Sequence, residues 1–262
     1  MGLTRLLFQS LIQGSLLMQD LPEASAFPSN SLIAPERVES LNLQQKLGHL
    51  YEDALAELLA ATPRYNLLAR SLQICRDSGE TLGELDFLVR DLGSGQLIHL
   101  EQAVKFYLAV ETTTGILLPG PDSRDNYFRK LKRMRSHQLR LTGNFAESLP
   151  AAFQKETIAV RHLVQGCVFD HVKASRPVAA ESLNPLGRRG KWLHAKDCPE
   201  YFGQGTRLEI IPKPLWPVPL EILEGVALDQ WEPNSNPDRC VMVRVSTGTL
   251  PYFIAPNGYP FG

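Results

Sequence analysis

Gly83-Glu84-Leu85-Asp86-Phe87-Leu88, followed after a short turn by His99-Leu100-Glu101-Gln102-Ala103-Val104-Lys105-Phe106, decides how this chain is read. Glu84 to Leu88 alternate polar and apolar, the pattern of a half-buried strand. Asp91-Leu92-Gly93-Ser94-Gly95-Gln96 supplies the turn residues of a hairpin. In the second strand, side-chain alternation puts His99, Glu101, Ala103 and Lys105 on one face, and Leu100, Gln102, Val104 and Phe106 on the other. Two acids and a lysine then share one face of one hairpin. That arrangement is either a charged, solvated strand surface or a site for a hard cation.

The segments around the hairpin extend the pattern. Leu47, Leu50, Tyr51, Leu55, Leu58 and Leu59 recur at helical spacing, so Leu43 to Ala61 reads as a helix, stopped by Pro63. Tyr65 to Cys75 reads as a strand with imperfect alternation. Gly120-Pro121-Asp122-Ser123 is a turn and offers a helix N-cap. Arg124 to Arg140 then reads as an amphipathic helix, with Tyr127, Leu131, Met134 and Gln138 in one stripe. It carries seven cations against one acid, Asp125. Gln138 faces either the site or a backbone partner. Ala159 to Phe169 reads as a further strand, and shorter ones are expected at 191–194, 208–211 and 241–245, between Pro- and Gly-rich connections. The expected organisation is an N-terminal helix and loop over 1–40, a core over 41–174, and a β-rich extension or small subdomain over 175–262.

Bulk properties bound the function. The chain has 262 residues, 44% hydrophobic and 21% charged, which places it among globular proteins with a substantial core. Lys+Arg 27 against Asp+Glu 28 gives no overall bias toward a polyanion, so only local clustering can signal nucleic acid. Four scattered cysteines, Cys75, Cys167, Cys198 and Cys240, suggest reduced thiols. The apolar run from Leu6 to Leu17 is broken by Gln9, Ser10, Gln13 and Ser15. It reads as an amphipathic helix over about 1–20, with a cytoplasmic protein expected and no membrane partner. Cys167 and His171, with His194 and Cys198, are each four residues apart, but the absence of any Cys-x-x-Cys argues against zinc.

The hairpin, with its Gly-Glu-x-Asp and following glutamate, resembles the PD-(D/E)XK nuclease superfamily over about residues 45–170. His-Leu-Glu-x-Ala-Val-Lys-Phe-Tyr-Leu at 99–108, with the basic helix, resembles more narrowly the bacterial domain-of-unknown-function 1853 family. The resemblance implies an α/β, restriction-endonuclease-like αβββαβ core, with residues 158–170 as its last strand. It implies Mg²⁺ or Mn²⁺ held by Glu52, Asp86 and Glu101, and catalysis by Asp86, Glu101 and Lys105. It also implies a DNA or RNA partner engaged by Arg129, Lys130, Arg133 and Gln138. The expected function is a metal-dependent nuclease acting on phosphodiester bonds. The alternative is a catalytically degenerate nucleic-acid- or protein-binding module that keeps the fold. One departure is explicit. The superfamily places its lysine two residues after the glutamate, where this chain has Ala103. Lys105 lies four residues on, ~13 Å along a strand instead of ~7 Å.

Overall fold

The computed structural model describes residues 2–37 and 40–261. Its elements are α1 (Leu3–Gln13), β1 (Ser25–Ala26), α2 (Leu47–Ala61), β2 (Tyr65–Cys75), β3 (Thr81–Asp91), β4 (Leu97–Leu108), β5 (Val110–Thr112), β6 (Gly115–Leu117), α3 (Tyr127–Ser136), α4 (Leu141–Asn144), β7 (Ile158–His171), β8 (Arg189–His194), α5 (Cys198–Phe202), β9 (Leu208–Ile210), β10 (Gln230–Trp231), β11 (Val241–Val245) and β12 (Pro251–Ala255). This is an α/β fold built on a large mixed sheet. The strand order is β10-β9-β11-β12-β8-β7-β4-β3-β2, with β1 beside β7. β2, β3 and β4 run antiparallel, whereas β7 lies parallel to both β4 and β8.

β4 and β7 are covered on both faces, which is why they read as nearly continuous apolar runs. On one face, Val104 and Phe106 of β4 and Cys167 and Phe169 of β7 meet the apolar stripes of α1 and α2. Leu50, Tyr51, Leu55, Leu58 and Leu59 of α2 are fully buried there, each worth roughly 1.5–3 kcal/mol of transfer free energy. On the other face, Ala103, Tyr107, Val164 and Val168 meet Tyr127, Leu131 and Met134 of α3. The C-terminal strands continue the same sheet, since β8 pairs with β7 and β12 with β8. Phe253, Met242 and Trp216 share the first core with Leu6 and Leu55.

Three boundaries differ from expectation. The first helix stops at Gln13, and residues beyond it run along β7, where the Leu17 amide bonds to the Val164 carbonyl. Buried Gln165 of β7 donates to the carbonyls of Leu11 and Gly14, satisfying the open end of α1. The second helix begins at Leu47, because Asn42 closes a turn onto the Gln44 amide. α3 is capped by Asn126, whose side chain accepts from the amides of Phe128 and Arg129, and not at the 120–123 turn. The imperfect alternation of β2 also has a cause, a register shift between Leu67 and Ala69.

Candidate active site

β3 and β4 form a fork. They pair from Arg90 with Leu97 to Phe87 with Leu100 and then separate. Beyond that point β3 stays with β2, and β4 stays with β7 as far as Leu108. Asp86 and Glu101 are the first residues past the last pair. The backbone amide of Gln102 has lost its cross-strand partner, and the Asp86 carboxylate accepts it at 2.8 Å. The two strands are thus held open and pinned by one of the site's own acids.

Glu101 is 2% exposed, so this hairpin face is not a solvated surface. Its Oε1 lies 2.9 Å from Nε2 of the fully buried His99, and its Oε2 accepts from Gln138 Nε2 at 2.8 Å. Gln138 Oε1 in turn accepts from Lys130 Nζ at 2.9 Å. Lys130, Gln138 and Glu101 therefore form a chain of donors and acceptors from α3 to the fork. The open question about Gln138 resolves toward the site.

The cations sort differently from the expectation. Lys105 donates to Asp125 at 2.8 Å and is committed to the segment before α3. Lys130 was expected among the phosphate contacts of an exposed helix face, but it turns inward. It sits at the edge of the Tyr127–Leu131–Met134 stripe, and the small side chain of Ala103 lies on the β4 face that this stripe covers. A lysine three residues after a buried tyrosine in an apolar stripe was the available signal. Arg129 and Arg133 do lie on the exposed side. Arg135 and Arg140 are tied to Glu23, and Arg135 also to Glu181.

The electrostatics follow from burial. Asp86 has its carboxyl pushed up to about 7, first by burial and then by the neighbouring Glu101 charge, with Glu52 adding to it. The Gln102 amide and Lys130 pull the other way. Burial and the charge of Lys105 hold the Lys130 ammonium below its ordinary range, while Glu101 and Asp86 oppose that shift. Asp86 and the half-buried Lys130 thus each favour the other's charged form, against the burial that opposes it.

These groups suit a hard cation in one form only. Mg²⁺ is commonly held by one or two carboxylates together with waters and substrate phosphate. The fork offers two carboxylates, and Asp86, raised to about 7 by burial and the Glu101 charge, is partly protonated near neutrality. A closed cage is not present: among the described residues, no three of His, Cys, Asp and Glu are gathered tightly enough to hold a metal. Glu52 lines the same cleft but stands on α2, 3.4 Å from His49 Nδ1 and 3.9 Å from Arg70. The same observation leaves the Cys167, His171, His194 and Cys198 set unassembled.

Two glycines set the geometry. A Cβ on Gly83 would lie 2.6 Å from Leu141 Cδ2, so the segment carrying Gln138 can lie close on β3 only because residue 83 has no side chain. Gly166 of β7, at φ +146°, faces the backbone of Lys105; a Cβ there would stand 1.7 Å from the Lys105 carbonyl oxygen. A cleft of about 1070 Å³ opens beside the fork. Asp86, Gln102, Lys105 and Lys130 line one part of it, and Trp216 and Tyr259 of the C-terminal region another.

Among the described residues no helix is long and apolar enough to cross a membrane. Comparison with curated proteins and with solved structures returns no match. One family model, described as domain of unknown function DUF1853, matches residues 15–245, which include the fork, α3 and the strands through β11. The chain belongs to the DUF1853 family.

Proposed function

We propose that this protein is a Mg²⁺- or Mn²⁺-dependent nuclease with a restriction-endonuclease-like core, acting on phosphodiester bonds of DNA or RNA. The observation that carries the reading is the fork, where Asp86 and Glu101 stand at the point where β3 leaves β4, with Gln138 of the turn after α3 bonded to Glu101 and Lys130 of α3 bonded to Gln138. Apart from the short β5–β6 hairpin and α4, the order is α2-β2-β3-β4-α3-β7, and with β7 parallel to β4 this supports the αβββαβ core. A cation held there would polarise the phosphoryl oxygen and acidify a bound water. Asp86 and Glu101 would provide its ligands, with Asp86 giving up its proton as positive charge arrives. Lys130, not Lys105, is the lysine placed to meet charge developing on the phosphate or to orient water, and Gln138 holds it in register with Glu101. Arg129 and Arg133 on the outer face of α3 would contact flanking phosphates.

A second reading has its own support. Both oxygens of Glu101 already have partners, and Lys105 is engaged by Asp125, as in a module that binds nucleic acid without cutting it. One experiment separates the two. Labelled DNA and RNA are incubated with Mg²⁺ or Mn²⁺ and with wild type or Asp86→Ala. The nuclease reading expects cleavage that falls at least about 100-fold in the variant. Cleavage that persists in Asp86→Ala overturns the assignment, and salt-sensitive binding with no cleavage supports the second reading.

A further inference from the structure

The substrate class can be read from the cleft beside the fork, an inference that rests on the phosphodiester reading of that site. We propose that the cleft takes an unpaired strand of nucleic acid, with one nucleotide held between the fork and the C-terminal wall, and does not take an intact duplex. The cleft measures about 1070 Å³. Pockets of roughly 300–1,000 Å³ bury most of a drug-sized molecule, so a cleft of this size has room for a nucleotide taken out of a stack. Its walls come from three distant parts of the chain: the start of α2, the segment leading into α3, and the C-terminal region around Trp216, Arg239 and Tyr259.

The charge pattern fits a backbone running past the acids. Lys46, Lys130, Lys213 and Arg239 line the cleft, and among the described residues none has a carboxylate within ion-pairing distance. Of the acids in the cleft, Asp125 is paired with Lys105 and Asp122 with Arg124; Glu52 faces Arg70, and Asp86 and Asp238 are unpaired. The half-buried ring of Tyr259 and the edge of the core residue Trp216, with Lys213 Nζ 5.8 Å from its centroid, lie on the C-terminal side. Aromatic groups beside a cationic track are the means by which proteins hold single strands. Gln102 adds a recognition group. It is 6% exposed, lines the cleft, and neither its amide oxygen nor its nitrogen has a hydrogen-bond partner. A rotation of its side chain would present both to the edge of an unstacked base, which offers matching donors and acceptors.

The test measures fluorescence anisotropy of one labelled oligonucleotide, single-stranded or annealed to its complement, with wild type in EDTA, alongside cleavage of both forms in Mg²⁺. Single strand is expected to bind at least about tenfold tighter than duplex. Lys213→Ala/Arg239→Ala changes two exposed side chains away from the fork. It is expected to weaken single-strand binding about tenfold and to flatten the salt slope by about 1.4, two contacts at ~0.7 each. Homopolymer strands that differ in affinity for wild type should converge in Gln102→Leu. Duplex binding as tight as single strand, or cleavage of duplex as fast, overturns this inference and leaves the nuclease reading standing. Single-strand binding that depends on Lys213 and Arg239, with no cleavage by wild type, removes the nuclease reading and supports this one. Single-strand binding unchanged in the double variant also overturns it.

Discussion

Asp86 does two things that conflict. Its carboxylate caps the orphan Gln102 amide, yet burial and the Glu101 charge favour its protonated form. The carboxyl is raised in the folded protein above its unfolded value, so the stability it contributes is complete below about pH 4 and is lost as pH rises through about 7. Without metal, wild type should therefore lose melting temperature relative to Asp86→Asn across that window. At about pH 8 in EDTA the variant, whose neutral side chain can still accept the Gln102 amide, should melt higher than wild type. Added Mg²⁺ should raise the melting temperature of wild type and leave Asp86→Asn unmoved. Scanning calorimetry at several pH values checks the sign; parallel curves for the two proteins would refute it. The lysines give a second test at this scale. Lys130→Met should reduce cleavage about 100-fold, while Lys105→Met, which breaks only the contact with Asp125, should reduce it less than about tenfold.

At the scale of elements, the fork depends on how the segment after α3 lies on β3. Gly83→Ala pushes a methyl group into Leu141, and overpacking of this kind costs ~1–3 kcal/mol. It should also loosen Gln138 from Glu101, so cleavage should fall more than the loss of melting temperature accounts for. Adding Leu141→Ala should recover part of the activity; no recovery would mean that Gly83 acts otherwise. α2, β2, β3, β4 and β7 were readable in advance because hydrophobic period and turn residues agree there. The fork itself was not. Divergence of two strands is a register property, and the pattern of either strand continues past it. The inward turn of Lys130 is hidden too, because its neighbours Arg129, Lys132 and Arg133 group it with the exposed side of the helix. Alternation puts Asp86 and Glu101 on one face but leaves a cation site beside a plain charged surface, and the resemblance is what tips it toward metal. The early stop of α1 depends on Gln165, 151 residues away from Gly14, which no local pattern reveals.

At the scale of the molecule, the C-terminal strands are part of the main sheet and core. Trp216, Met242 and Phe253 pack in the same cluster as Phe106 and Phe169, and β8 pairs with Val168 to His171 at the end of β7. A chain ending near residue 174 would expose that apolar surface and an unpaired strand edge. It should be insoluble or lack a cooperative melt, whereas a soluble, two-state fragment would show the extension to be an independent unit. The expected boundary at 175 marks a change in composition, and the sheet runs straight through it. The extension also lines the cleft beside the fork.

The central claim is that Asp86 and Glu101 form a divalent-cation site. Titration of Mn²⁺ into the protein, followed by the electron paramagnetic resonance of free Mn²⁺, tests it without assuming any substrate. The account predicts saturable binding by wild type at about pH 8, lost in Asp86→Asn and in Glu101→Gln and retained in Lys105→Met. Binding unchanged by both acid substitutions, or no binding by wild type, would contradict it.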